Sequence, residues 1–208
     1  MRTFAITQRG FTLWELLVAM LVVGVVLGIG VPNFMTFTRN GDMAAAVNTL
    51  VSALHVSRTE AVKRQQPVTV CGSSDPLAAN PPCDGGTGGF FAWVDDADDP
   101  DGDQIANPDG VLDAGEEIIL QRARPADAID TYVAGGGVSV TYGPDGFIDR
   151  TLPRITVVLY CDERGNLDTG YGDSVARAVR IAPTGRPQLQ RTVAQIATAV
   201  ADTGGVCP

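Results

Sequence analysis

Side chains that could support acid–base or nucleophilic chemistry are scarce in this sequence. It contains one histidine, His55, and no GxSxG, HExxH, CxxC or Walker glycine-loop motif. Most acid–base and triad arrangements need a histidine beside a nucleophile or a second titratable group. His55 follows Leu54 by one residue, which is about 100° around a helix, so we interpret it as a solvated surface residue. We therefore expect neither enzymatic activity nor a bound cofactor.

The best candidate for a metal site is an acid-rich stretch, Asp95–Glu117. Three of its aspartates fall at the spacing of the first three ligands of an EF-hand loop: Asp99, Asp101 and Asp103. The rest of that pattern is missing, because Gln104 replaces the required glycine and Gly110 replaces the final glutamate. We therefore favour a solvated connection between two strands and keep a calcium site at the three aspartates as the alternative.

Glu15 is the only charged residue between Phe11 and Val31, a stretch that is otherwise almost entirely apolar. A carboxylate at the centre of a bilayer costs ~2.5–3.5 kcal/mol, so its presence in an apolar segment requires an explanation. A cationic partner would offset that cost. The pattern therefore indicates that Glu15 binds a positive group supplied by another molecule or another part of the chain.

The segment that carries Glu15 is predicted to be a membrane-spanning helix, since it reaches the roughly 20 residues needed to cross ~30 Å of hydrocarbon. A cleaved secretory signal also begins with basic residues and an apolar run, but a small-x-small cleavage site should then follow. Here Val31-Pro32-Asn33-Phe34 follows, which disfavours a cleaved signal. Arg2 and Arg9 keep the N-terminus cytoplasmic by the positive-inside rule, so the bulk of the chain lies outside the inner membrane.

Two short motifs carry a family resemblance: Gly10-Phe11-Thr12-Leu13, and Glu15-Leu16-Leu17-Val18 after it. They resemble the class III signal of type IV pilins and type II secretion pseudopilins. The resemblance implies that a membrane prepilin peptidase cuts between Gly10 and Phe11 and N-methylates Phe11. It also implies that Glu15 pairs with the α-amine of a neighbouring subunit, and that Pro32 is the family's helix-kinking proline.

The same resemblance divides the chain into three parts. Residues 1–10 are the leader peptide, residues 11–38 the transmembrane and assembly helix, and residues 39–208 a periplasmic pilin head that includes the rest of the long helix. The implied partners are other pilins through the N-terminal helix, the prepilin peptidase and the inner membrane. The protein would first be a single-pass inner-membrane protein and then part of a pilus or pseudopilus filament.

Past Pro32 the sequence predicts a second, amphipathic half of the helix. A break is expected at Asn40-Gly41, with an N-cap at Asp42. Apolar residues then recur near a 3.6-residue period, at Val47, Leu50, Val51, Leu54, Ala61 and Val62. Pro67 ends the helix. We expect this stripe to pack on one face of the sheet formed by the rest of the head.

Seven short segments after the helix have strand-like patterns: PVTVCG, GFFAWV, EEIILQ, VSVTYG, ITVVLYC, AVRIAP and RPQLQR. Turn signals lie between several of them, at Pro108-Asp109-Gly110, Pro144-Asp145-Gly146 and Thr184-Gly185. One long N-terminal helix followed by short strands predicts an α+β fold, in which the helix packs on an antiparallel β-sheet head. This is the pilin fold that the family resemblance implies.

The four cysteines allow three pairings, and an even number beyond a membrane anchor suits an oxidising compartment. We favour Cys71–Cys83, which closes a local loop rich in Pro and Gly, and Cys161–Cys207, which ties down the C-terminus. A metal site is the weaker reading, because the cysteines have neither CxxC spacing nor an accompanying histidine.

The helix and the strand onset KRQQPVTVCG together resemble the FimT/GspH branch of the pilin family, including FimU-like minor pilins. The leading functional hypothesis is a minor pilin or pseudopilin that the prepilin peptidase processes and that enters a type IV pilus or its tip-priming complex. The alternatives are a DNA-binding minor pilin for natural transformation and a type II secretion pseudopilin.

The DNA alternative depends on a basic C-terminal motif, Gly-Arg-x-Arg, associated with FimT-like pilins. Here Gly185-Arg186 is present, but Gln188 stands where the second arginine should be. Four arginines could still form a small patch: Arg177, Arg180, Arg186 and Arg191. The chain carries a net charge of −9, which argues against general nucleic-acid binding. We therefore interpret these arginines as solvent-facing residues and do not favour DNA as a partner.

Overall fold

The structure, a computed structural model, describes residues 10–95, 108–124, 128–205 and 207. By its internal contacts the chain forms two compact units, one ending at Gly41 and one from Asp42 onward, which we call the globular unit. Helix α1 is Leu13–Arg64. Two basic residues in its last turn, Lys63 and Arg64, interact favourably with the negative end of the helix dipole. Gln65 then ends the helix, because its φ of 58° turns the backbone away from the helical path.

The expected break at Asn40-Gly41 and the N-cap at Asp42 are wrong, because α1 continues through these residues. A glycine inside a helix costs only about 1 kcal/mol relative to alanine. Ending and restarting the helix would instead leave two sets of unpaired backbone groups and require a second nucleation. Continuing the helix is therefore the less costly choice.

All seven predicted strands are present, and one further strand, β4, was not predicted. In the described part of the chain the strands are Val68–Ser73 (β1), Gly89–Val94 (β2), Ile118–Ala123 (β3), Asp130–Gly135 (β4), Ser139–Tyr142 (β5), Ile155–Cys161 (β6), Asp173–Ile181 (β7) and Pro187–Thr192 (β8). A second helix, α2, is Val193–Thr203. The α+β fold class and the long N-terminal helix are therefore confirmed.

The described strands form two antiparallel sheets instead of the one that was expected. The first sheet has the order β3-β2-β1-β5 and the second the order β4-β6-β7-β8. In the second sheet, β7 pairs Val179 with Leu189 and Arg180 with Gln188 of β8. This register decides which side chains of β7 and β8 share a face.

The buried face of α1 and side chains from both sheets form one core. The buried residues of α1 are Met43, Ala46, Val47, Leu50, Ala53, Leu54, Ser57 and Ala61. They pack in one cluster with Val70 of β1, Val140 of β5 and Val158 of β6. The predicted stripe is therefore largely confirmed, but Val51 is only half-buried and Val62 is exposed.

Helix α2 covers the other face of the second sheet. Ile196 and Ala199 pack there against β6 and β7. The sequence analysis missed this helix although its signals are present: Thr192 and Gln195 form a capping box, and Gly204 ends the helix in a left-handed conformation. The second sheet is thus enclosed on both sides.

Both predicted disulfides are formed. Cys71 is bonded to Cys83 with a Cα–Cα distance of 5.6 Å, and Cys161 to Cys207 with a distance of 5.7 Å. The first closes the loop after β1, and the second joins the last residue of β6 to the segment that follows α2. Each pair therefore ties a strand residue to a segment that lies outside the strands.

Candidate functional site

The beginning of α1 is organised by a capping box between Thr12 and Glu15. The Glu15 carboxylate accepts hydrogen bonds from the Thr12 amide and hydroxyl, both at 3.2 Å, and the Glu15 amide donates to the Thr12 hydroxyl at 3.2 Å. This arrangement satisfies backbone groups that a helix start leaves unpaired. Within a single chain, Glu15 therefore has a local partner that carries no charge.

Residues 11–37 present an exposed apolar surface on all sides. Every large hydrophobic side chain in this range is exposed, from Phe11 to Phe37. Among the described helices, α1 is the one long and apolar enough to cross a membrane. A helix that is apolar all round is stable only when lipid or other helices cover it. The segment therefore has the surface of a membrane anchor or of a helix packed inside an assembly.

Polar side chains near Pro32 bond to the backbone of their own helix. Pro32 lies inside α1 and has no amide hydrogen, so the carbonyl four residues earlier, at Gly28, loses its helical donor. Asn33 donates to the carbonyl of Ile29 and Thr36 to that of Pro32, each at 3.1 Å. These bonds hide polar groups within the apolar segment, which is the arrangement a lipid environment favours.

The four arginines considered for DNA contact do not form one patch. Side chains alternate between the faces of a strand, so Arg177 lies on the same face as Val179, toward the α1 core, and Arg180 lies on the face covered by α2. Arg180 pairs with Asp202 of α2 at 2.6 Å. The two arginines of β7 therefore point in opposite directions.

Most of these arginines already bind acceptors of their own chain. Arg177 donates to the carbonyls of Ser174 and Ala176, and burial lowers its pKa. Arg191 lies 3.4 Å from the carboxylate of Asp173. Among the four, and within the described residues, Arg186 alone is exposed without a side-chain hydrogen bond or ion pair. A phosphate-binding site needs several clustered cations, and this arrangement does not offer one.

Gly185, beside Arg186, has a structural reason to be glycine. Its φ is +81°, and an added Cβ would lie 2.7 Å from the Cε1 atom of Tyr142. The Tyr142 hydroxyl donates to the Gly185 carbonyl at 2.9 Å, and burial raises the pKa of this tyrosine. The glycine of the Gly-Arg pair therefore packs the turn between β7 and β8 onto the core.

Asp95 is a buried carboxylate that the sequence analysis placed only at the boundary of the acidic stretch. It accepts hydrogen bonds from the Thr69 hydroxyl at 2.5 Å and the Gly110 amide at 3.1 Å, and Thr69 also contacts the hydroxyl of Thr141 at 2.6 Å. Burial raises the pKa of Asp95 to about 6. Asp95 therefore holds Gly110, within the connection from β2 to β3, beside Thr69 of β1.

The calcium candidates Asp99, Asp101 and Asp103 lie outside the described residues. The described ranges contain no group of three or more histidine, cysteine, aspartate or glutamate side chains that could hold a metal ion. The calcium reading therefore receives no support from the described part of the acidic stretch. It stays an untested prediction.

Two family profiles match this chain, one over the N-terminal segment and one over most of the globular unit. A family profile described as type II transport protein GspH matches residues 46–185, and one described as the prokaryotic N-terminal methylation motif matches residues 7–31. No curated protein sequence shows a significant match. The second profile includes Gly10, Phe11 and Glu15, on which the family resemblance was based.

Two solved structures of the type IV minor pilin FimU from Pseudomonas aeruginosa, in different crystal forms, are also similar. The first is 16% identical with a TM-score of 0.49 over 74% of this chain and 92% of that chain. The second is 17% identical with a TM-score of 0.42 over 71% and 91%. Since the GspH profile spans more than half of the sequence and the methylation motif precedes it, the chain belongs to the GspH family of pilin-like structural proteins, which are not enzymes.

Proposed function

We propose that this protein is a minor pilin or pseudopilin that prepilin peptidase cuts between Gly10 and Phe11 and N-methylates at Phe11. In this proposal α1 first spans the inner membrane once, with the globular unit in the periplasm. The protein is then extracted into a type IV pilus or its tip-priming complex. The observation that carries the proposal is the fully exposed apolar surface of residues 11–37, interrupted by a single carboxylate at Glu15.

Glu15 has two competing arrangements in this proposal. In the single chain its carboxylate caps α1 through Thr12, which supplies only neutral donors. In an assembly, the methylated α-amine of a neighbouring Phe11 would supply a positive charge in a medium of low dielectric. An ion pair is far stronger there than in water. Replacing the Thr12 contact by the ion pair therefore favours subunits in the correct register. Contacts between the apolar helices then stabilise the polymer.

A type II secretion pseudopilin is the second candidate, and the description of the matching family favours it. Both candidates use the same maturation and the same helix packing. They differ in the machine that loses function when the protein is deleted: twitching or piliation in one case, and export of folded periplasmic proteins in the other. DNA uptake is not proposed, because the arginines it would need are dispersed and mostly paired.

The role of Glu15 can be tested by separating its charge from its capping bond. Glu15→Gln keeps a hydrogen-bond acceptor that suits a capping box but removes the charge, whereas Thr12→Val removes the cap and keeps the charge. We expect Glu15→Gln to insert into the membrane normally and to be lost from sheared filaments. Thr12→Val should be incorporated. Filament fractions that contain Glu15→Gln at the wild-type level, normalised to the membrane pool, would exclude the charge-pair role.

Maturation can be tested at Gly10. A Cβ added there would have no atom within 4 Å, so a substitution should not disturb the chain itself. We expect Gly10→Val to retain the ten-residue leader and to lack N-methylation, as measured by intact mass and N-terminal peptide analysis. A matched substitution four residues after Gly10, Trp14→Phe, should be processed normally. Detection of a mature, methylated Phe11 in the Gly10→Val protein would contradict the proposed cleavage site.

A further inference from the structure

The first sheet has an open edge at β3. This strand lies at one end of the order β3-β2-β1-β5, so one side of its backbone has no neighbouring strand among the described residues. Its pairing with β2 is regular from Ala123 to Leu120, and the register shifts only after that, at Ile118. An open strand edge presents a row of backbone amides and carbonyls to which another extended chain can bind.

The register decides which backbone groups of β3 face the open edge. The Arg124 amide donates to the Gly88 carbonyl of the neighbouring chain segment at 2.8 Å. Hydrogen-bonded and non-hydrogen-bonded pairs alternate in an antiparallel ladder, so Arg122 also turns its amide and carbonyl toward β2. Gln121 and Ala123 lie between these positions and therefore turn their amides and carbonyls toward the open edge.

A groove with a volume of about 440 Å³ lies beside this edge. One wall is the side of α1 from Ala45 to Val56, and the other is Ile119, Leu120 and Arg122 of β3. Among the described residues no other strand contributes to its lining, so the groove lies on the side of β3 that faces away from β2. The helix wall rises ~16 Å, which is the length of about five residues of a β-strand. The groove therefore has room for one short extended segment along β3.

Charge and side-chain size in the groove limit what it can bind. Arg122 is exposed, and its guanidinium donates to the Gln121 carbonyl at 3.0 Å, which places the positive charge on the open edge itself. Within the described part of the chain, Arg122 pairs with no carboxylate. The helix wall is uncharged, and its exposed residues include Ala45, Asn48 and Ser52, which are small or polar. A segment that carries a carboxylate and small side chains is therefore complementary to both walls.

We propose that β3 and the adjacent groove bind an extended segment of a neighbouring, different pilin subunit, which adds a fifth strand to the first sheet and places a carboxylate beside Arg122. The inference rests on the proposed function, since it requires neighbouring pilin subunits. All residues of the site belong to the globular unit. Backbone hydrogen bonds to Gln121 and Ala123 supply affinity for an extended chain, and the pairing with Arg122 selects the partner. A filament holds its subunits at a high effective concentration, so a contact of about five residues is sufficient.

A pair of proline substitutions tests the strand contact in the full chain. Ala123→Pro removes an amide that faces the open edge, and edge strands tolerate proline at such positions. Leu189→Pro in β8 is the matched control. The Ala182 amide donates to the Arg186 carbonyl at 3.0 Å, so by the same alternation the Leu189 amide also faces away from its neighbouring strand, β7.

Both proline variants should form their disulfides and reach the membrane at the wild-type level. We expect Ala123→Pro to be incorporated into sheared filaments about fivefold less, normalised to the membrane pool, as the loss of one hydrogen bond predicts. Leu189→Pro should be incorporated like the wild type. Equal incorporation of the two variants would overturn the strand contact and leave the proposed function intact.

A photo-crosslinking amino acid in place of Ala123 identifies the occupant, and it decides the question if Ala123→Pro does not fold. In filaments we expect a crosslink that mass spectrometry locates in a segment of a different pilin, next to an acidic residue. Arg122→Glu should lower the crosslink yield about fivefold or more, because it replaces attraction by repulsion. Arg186→Glu, at an exposed arginine before β8, is the control and should leave the yield unchanged.

Filament-resident protein that gives no crosslink at position 123 would overturn the strand contact but not the proposed function. A crosslink to a second copy of this chain would overturn the choice of partner, and an unchanged yield with Arg122→Glu would overturn the role of the carboxylate. Protein that is absent from filaments would overturn both proposals.

Discussion

Removal of the Cys161–Cys207 disulfide should destabilise the globular unit more than removal of Cys71–Cys83. The two bonds join residues 46 and 12 positions apart. A cross-link limits the unfolded chain more when it closes a longer loop, and the chain-entropy relation assigns about 4 kcal/mol to the longer loop and about 3 kcal/mol to the shorter one. The expected difference is about 1.2 kcal/mol, because it depends only on the ratio of the loop lengths.

The comparison is well matched, because Cys71 and Cys161 are both fully buried at strand positions. Replacing each pair by two alanines therefore removes similar side-chain packing, and the loop length is the main difference. The assay is urea unfolding of the full chain in detergent micelles, followed by the emission of Trp93 in a Trp14→Phe background. Trp93 packs in a cluster with Cys71, so the loss of Cys71 can change the emission amplitude directly. The variants are therefore compared by the midpoint and slope of the urea transition.

The result that would refute this reasoning is an equal or larger loss of unfolding free energy for the Cys71–Cys83 pair. Such a result would mean that the unfolded chain is already compact around the C-terminal segment, so the longer cross-link removes little entropy. A change in the slope of the free energy with urea would point to the same cause, since the slope reports the surface exposed on unfolding.

Three further predictions concern buried groups of the globular unit. Burial raises the native pKa of Asp95 to about 6 from 3.8, so the native carboxyl keeps a proton that the unfolded one has released. The contribution of Asp95 to stability should therefore fall as pH rises from about 4 to about 6, by at most about 3 kcal/mol, so the stability of the wild-type chain relative to Asp95→Asn should decrease over this range in urea titrations. Gly185→Ala should cost about 2–4 kcal/mol in thermal melts, because it adds a clash with Tyr142 to an unfavourable backbone angle. The control Gly172→Ala has a nearly identical φ of +80° but no neighbouring atom within 4 Å, so it should cost only about 1–2 kcal/mol. Tyr142→Phe should cost about 1 kcal/mol in the same melts, because it removes the hydrogen bond to the Gly185 carbonyl.

Several elements of the fold could be predicted because their signals are local. The strands β2 and β6 follow directly from apolar, aromatic and β-branched runs bounded by turn residues. Helix α2 was equally readable in principle, since Thr192, Gln195 and Gly204 are standard signals of a helix start and end. The break at Asn40-Gly41 was predicted from weak local preferences, and the longer helix on either side outweighed them.

The sequence alone was sufficient to recognise the N-terminal methylation motif. Gly10, Phe11 and Glu15 are recognised by their order along the chain and by the apolar residues around them, so no tertiary contact is needed. The disulfide pairing could also be predicted from the sequence. Four cysteines allow only three pairings, and one of these pairings includes a bond between cysteines only 12 positions apart.

Only the tertiary structure decided which side chains share a surface. Arg177 and Arg180 are three residues apart in the sequence, yet they lie on opposite faces of β7, and each is bound by a different partner. The division of the strands into two sheets likewise depends on pairings between distant segments, such as β1 with β5. Side-chain direction and strand partnership arise from long-range packing, whose energies no local stretch of sequence contains. For the same reason the burial of Asp95 became visible only in the folded chain.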